Sequence, residues 1–172
     1  MSTPPPTPLD LDALGRQVLG ARMPLVVADA QAPDQPLVFV NDAFCELTGY
    51  TAEESIGRNC RFLQGHHTSP EAMRSIGEAL RAGRSIAVRL LNYRRDGLAF
   101  WNDLHIAPIM AGKAPRYFVG TQLDVTRRVL ASDPVLSEEA SALLKSGADA
   151  RSDRVQELVT KAAPREGSSE TA

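Results

Sequence analysis

The sequence predicts an α+β domain: a five-stranded antiparallel sheet with short helices on one face and helical extensions at both ends. Three observations carry that reading. Two Val-rich apolar runs, at 24–28 and 37–40, flank a connection holding Pro33 and Pro36, as two strands joined by a turn would. One clear helical period follows, with Ala72, Met73, Ile76, Ala79 and Leu80 on one stripe. Three stretches then alternate with period two, at 85–93, 98–105 and 116–124.

The elements can be justified in order. Thr7-Pro8-Leu9-Asp10 has the chemistry of a helix start, with Pro at the first position and an acid in the first turn. Leu11, Leu14 and Val18 give the following helix an apolar stripe that needs something to cover. Asn41 is placed to cap a short helix carrying Phe44 and Leu47 inward, and Cys45 within it reads as a small buried hydrophobe. Thr51 and Glu54 form a capping box for a further turn that stops at Gly57. Ser69-Pro70-Glu71 opens the longer helix and Gly83 closes it. Arg94-Arg95-Asp96-Gly97 is a hairpin turn, and the segment 108–115, with Pro and Gly, is expected to be a loop.

Alternation sorts the last three strands into two faces. One collects Val88, Leu90 and Asn92; Phe100, Asn102, Leu104 and Ile106; and Phe118, Gly120 and Gln122. This apolar wall carries three carboxamides, and each buried amide must find partners or cost about 1–3 kcal/mol. Such a set suits a planar heterocycle with alternating donors and acceptors along one edge. The other face presents Leu91, Tyr93, Trp101, Val119 and Leu123, enough apolar surface to mark an interface.

Beyond Asp124 the pattern turns helical. One helix is expected from Asp133-Pro134 through Leu136, Ala140, Leu143 and Leu144, and another carries Val155, Leu158, Val159 and Ala162. Both read better as packing helices than as a DNA-binding pair, because Arg151, Arg154 and Lys161 stand against Asp153 and Glu157. The expected organisation is an N-terminal extension at 1–22, a core at 23–126, a helical extension at 127–163 and a disordered tail at 164–172.

Bulk properties narrow the function. A net charge of -2 gives no electrostatic case for nucleic acid or an anionic membrane. No apolar run approaches the roughly 18 residues that span a bilayer, and Met1 to Pro8 lacks the regions of a signal peptide, so a cytoplasmic protein is the default expectation. Cys45 and Cys60 are too few for a disulfide framework, and His66, His67 and His105 do not have metal-ligand spacing. No metal is expected.

The densest chemistry lies in Gly57-Arg-Asn-Cys-Arg-Phe-Leu-Gln-Gly65, where a thiol, two arginines, an asparagine and a glutamine stand between glycines. This nonapeptide, with Asn92, Phe100-Trp101-Asn102 and Gly120-Thr121-Gln122, resembles the signature of the LOV (light-oxygen-voltage) family of flavin-binding blue-light sensors in the PAS superfamily. The resemblance runs from about Pro24 to Asp124. It implies FMN, with riboflavin or FAD as alternatives, held non-covalently in the dark. On illumination the Cys60 sulfur would bond reversibly to flavin C4a while N5 gains a proton.

The resemblance also implies roles for the surroundings. Asn92 and Asn102 would hold the pyrimidine edge, Asn59 and Gln64 the ribityl chain or ring edge, and Arg61 the phosphate. Gln122 would switch its hydrogen bond near N5 and O4, while Val26, Ala28, Leu37, Leu63, Leu104 and Phe118 would supply apolar walls. Where the family often places a second phosphate-binding arginine, this chain has Gly77, and Arg74 is the expected substitute. His66 and His67 replace a commoner Pro-acid pair. The chain resembles short bacterial LOV proteins, which implies a sensor without an attached enzyme. Its output would pass through a homodimer formed by the outer sheet face and terminal helices, or to another partner. The competing readings are a light-indifferent flavin redox or ligand-binding PAS module, and a light-controlled DNA-binding regulator.

Overall fold

Strands β1 (Leu25–Asp29) and β2 (Leu37–Val40) pair antiparallel, and the chain then leaves the sheet for its helices before returning to it. The computed structural model describes residues 22–135, 138 and 153–162. The returning strands are β3 (Ile86–Tyr93), β4 (Ala99–Ala111) and β5 (Ala114–Asp124). The sheet order is β2-β1-β5-β4-β3, so the last strand in the chain is the middle one in space.

Register confirms the two-faced pattern. Leu90 pairs with Asn102, Asn92 with Phe100, Leu104 with Gln122 and Ile106 with Gly120, so the three carboxamides share one face. One expectation fails. Most of 108–115 is strand, with only Gly112 and Lys113 at the turn, where Gly112 takes φ +67°. Pro108 is tolerated because β3 begins at Ile86, opposite Ile106, leaving β4 a single neighbour there. Trp101 bonds through both its N–H and C=O on the β5 side, so alternation turns the Pro108 nitrogen to the open edge.

The helices are local constructions. Asn41 Oδ1 accepts from Phe44 N–H at 3.0 Å to start α1 (Asp42–Thr48), and also from Leu25 N–H at 2.9 Å, which ties that helix to β1. The expected capping box of Thr51 and Glu54 opens α2 (Ala52–Ser55). Ser69 caps α3 (Pro70–Arg81), and the Arg84 N–H bond to Ala79 C=O closes it over Gly83. Buried Ala72 and Ile76 of α3 pack against Leu90 of β3. Burial of a Leu side chain such as that of Leu90 contributes about 1.5–3 kcal/mol.

One end of the opposite face of the sheet is covered by the chain itself. Helices α4 (Thr126–Ser132) and α5 (Asp153–Lys161), with Ala162 just after α5, set Val129, Val159 and Ala162 against Leu91, Ala99 and Trp101. Trp101 Nε1–H donates to Val159 C=O at 2.8 Å, and Ala99 N–H, beyond the end of β5, donates to Gln156 Oε1 at 2.7 Å. The patch at Leu91, Tyr93 and Trp101 therefore has an intrachain cover, while Leu123 remains 49% exposed. The apolar side of α5 faces the sheet, as a packing helix requires. The helix expected at Leu11, Leu14 and Val18, the stretch carrying Leu136, Ala140, Leu143 and Leu144, and the tail from Pro164 lie outside the described residues.

Candidate functional site

Between the carboxamide face of the sheet and helix α3 lies a cavity of about 480 Å³. That volume falls within the roughly 300–1,000 Å³ usual for small-molecule sites. Its three polar sources are the Cys60 turn, the sheet amides and the mouth.

The Cys60 turn begins at Gly57, whose φ of +84° favours glycine. Two backbone bonds of 2.8 Å, Gly57 N–H to Leu37 C=O and Leu37 N–H to Arg58 C=O, fasten the segment to β2. Asn59 then caps a 3₁₀ turn over Cys60–Leu63 by accepting from Arg61 N–H at 2.9 Å. Leu63 is buried at 2% exposure in the core beneath and anchors the turn from behind; it is not among the cavity-lining residues. Phe62 meets Tyr50 edge to face at 4.9 Å, with the Arg58 guanidinium 4.2 Å above the Phe62 ring. The anchored turn leaves Cys60 lining the cavity. Burial pushes the Cys60 thiol up to about 12. The shift favours the thiol over the thiolate.

The amides form one connected chain. Asn102 Nδ2 donates to Asn92 Oδ1 at 2.9 Å and approaches Gln122 Oε1 at 3.5 Å, while Asn102 Oδ1 accepts from Leu123 N–H. Asn92 Nδ2 donates to Leu91 C=O at 3.1 Å. All three side chains are at most 3% exposed. Among the described residues Gln122 Nε2 is buried with no partner, so the cavity presents a donor for a bound molecule to satisfy. Gly120 keeps this wall thin, because a Cβ there would stand 3.0 Å from Val26 Cγ2. Val26, Ala28, Leu37, Leu104 and Phe118 line the apolar remainder. A flat ring with a polar edge fits this donor set, and the residues present suit a flavin.

At the mouth stand Asn59, Arg61, Gln64 and Gly77, together with Gln35 and Arg81, which sequence reasoning passed over. Arg74 is not brought to the cavity: its side chain is 70% exposed and reaches Glu71 at 3.9 Å. The cavity-lining residues of α3 are Met73, Ile76, Gly77, Leu80 and Arg81; Arg74 lies on the same side of the helix as Arg81 but two turns earlier, where its side chain turns to Glu71. His66 and His67 are exposed.

Thr68 was also missed, having no periodic signal. It is 3% exposed; its Oγ1 accepts from Gly65 N–H at 2.9 Å and donates to Leu91 C=O at 2.6 Å. That same carbonyl accepts from Asn92. The end of the nonapeptide is thus linked to the amide chain.

Fold and site together define a sensor-type PAS domain, and residues 24–127, more than half of the chain, match the PAS domain family. The chain belongs to that family. Within it, the domain is a LOV photoreceptor domain. It is 43% identical to the LOV domain of a blue-light activated histidine kinase from Erythrobacter litoralis, with a TM-score of 0.58, over 59% of this chain and 94% of that one. A solved RNA-binding LOV receptor is 41% identical with a TM-score of 0.65, over 75% of this chain and 38% of the other. The curated Blue-light-activated histidine kinase 1 of Erythrobacter litoralis is 49% identical over 106 residues, 61% of this chain and 29% of that protein. This chain spans less than a third of the curated kinases it matches. Among the described residues, no helix is long and apolar enough to cross a membrane.

Proposed function

We propose that the chain is a blue-light receptor that holds FMN in this cavity and uses Cys60 for a reversible photochemical bond. The observation that carries the proposal is the meeting of the half-buried Cys60 thiol with three buried amides on one cavity, one of them with an unsatisfied donor. When bound, the flavin supplies absorption of blue light and an excited ring carbon that accepts a thiol.

Cys60 would be the residue that supplies such a ring with both a sulfur and a proton. The step adds S–H across one double bond, so no external oxidant or reductant is required. Asn92 and Asn102 offer donors and acceptors to the polar edge of the ring and hold it in register. Gln122 Nε2 would donate to a ring nitrogen that lacks a proton and its Oε1 would accept from one that carries it, so the side chain would rotate between the two. The rotation would disturb its contact with Asn102 on β4, the strand whose Trp101 and Ala99 hold helix α5. Reversal returns the proton to sulfur, and no substrate is turned over.

The output we favour is a light-dependent change of association between copies of the chain, through the part of the outer sheet left uncovered and the terminal helices. Equal elution volumes in dark and light, across protein concentrations, would sink that part.

The proposal is tested by illuminating the purified protein. A blue absorption band should bleach under blue light and return in darkness. A flavin band indifferent to light would instead favour a redox or ligand-binding PAS module.

A further inference from the structure

The cavity mouth carries two arginines, and their surroundings make them unequal. Arg61 lies on the 3₁₀ turn, and its guanidinium is paired with the Asp34 carboxylate. Asp34 is itself held, because its carbonyl accepts from Asn59 Nδ2 at 2.5 Å. Asp34 and Gln35 both take left-handed backbone, with φ of +64° and +48°, so the loop presents Asp34 to Arg61 in a defined conformation. Gln35 of the same loop lines the mouth.

Arg81, the last residue of α3, lines the mouth from the other side. Its Nη1 lies 3.3 Å from where a Cβ on Gly77 would stand. Glycine at 77 therefore leaves room for the Arg81 guanidinium. Among the described residues Arg81 makes no ion pair.

We propose that Arg81, seated over Gly77, is the residue that favours a phosphorylated flavin over its unphosphorylated form, and that Asp34 opposes the same choice by occupying Arg61. The proposal rests on the flavin reading above. A phosphate at the mouth meets an unneutralised cation at Arg81. At Arg61 it must displace or share a carboxylate that repels it. Both arginines are exposed, so the preference is screened and falls as salt rises.

The test uses the full chain freed of flavin, titrated separately with FMN and riboflavin at low and physiological salt and followed by flavin fluorescence. The readout is the ratio of the two dissociation constants, and riboflavin affinity reports whether each variant still folds around a flavin. Arg81→Ala should cut the preference for FMN about tenfold and flatten its salt dependence. Asp34→Asn should raise it about threefold, and Arg74→Ala should leave it unchanged. An unchanged ratio in Arg81→Ala, or a lowered one in Asp34→Asn, overturns the assignment. A chain that takes up neither flavin overturns the flavin reading itself.

Discussion

Replacing Thr68 by valine and by serine separates two kinds of buried contribution at one position. Valine keeps the shape but removes the hydroxyl, losing the 2.6 Å bond to Leu91 C=O and the 2.9 Å bond from Gly65 N–H. Leu91 C=O retains Asn92 Nδ2 as a donor, whereas Gly65 N–H is left without its side-chain acceptor. Two net hydrogen bonds, one leaving a half-buried group without its acceptor, put the cost at about 2–3 kcal/mol. Serine keeps both bonds and loses one methyl group, costing about 1 kcal/mol. Thr68→Val should therefore be less stable than Thr68→Ser by about 1–2 kcal/mol, against the order of hydrophobicity. Urea unfolding of the flavin-loaded chain measures this as a lower midpoint at unchanged slope. A valine variant as stable as the serine variant would refute the link between the nonapeptide and the amide chain.

Other outcomes follow from single contacts. Gly65→Ala would place a Cβ 2.6 Å from Tyr93 Cδ2, so thermal unfolding should show a loss of about 1–3 kcal/mol. Trp101→Phe removes the donor to Val159 C=O, and amide exchange across α5 should accelerate about fivefold to tenfold while the strand amides change less. The hydrogen bond from Arg89, at 2.6 Å, holds the Asp103 carboxyl below its ordinary value of 3.8. Its stabilising contribution is fully present above 3.8 and is lost as pH falls through the lowered value. The drop in urea midpoint between pH 7 and pH 3 should therefore be smaller in Asp103→Asn than in the parent.

Much of the sheet was legible because period two survives in a half-buried strand. Asn92, Asn102 and Gln122 fall on one face by counting alone, and the register places them there. The strand through Pro108 was not legible, since proline reads as a breaker unless the neighbouring strand is known to stop at Ile86. Helical periodicity put Arg74 near Gly77, but Arg74 and Arg81 are seven residues apart and share a side of the helix, so periodicity alone could not say which of the two turns reaches the cavity; Arg81 lines it and Arg74 does not. The Asp34–Gln35 loop carried no signal, because neither residue advertises left-handed backbone as glycine does. Trp101 and Leu91 announced an interface, but only the fold shows that α5 supplies the cover.

The central claim, that Cys60 is the photochemical thiol, is tested most directly by comparing light-minus-dark absorption of the parent and Cys60→Ala, both loaded with FMN. The account predicts equal dark spectra, with reversible bleaching of the blue band in the parent alone. A Cys60→Ala variant that bleaches and recovers as the parent does would contradict it.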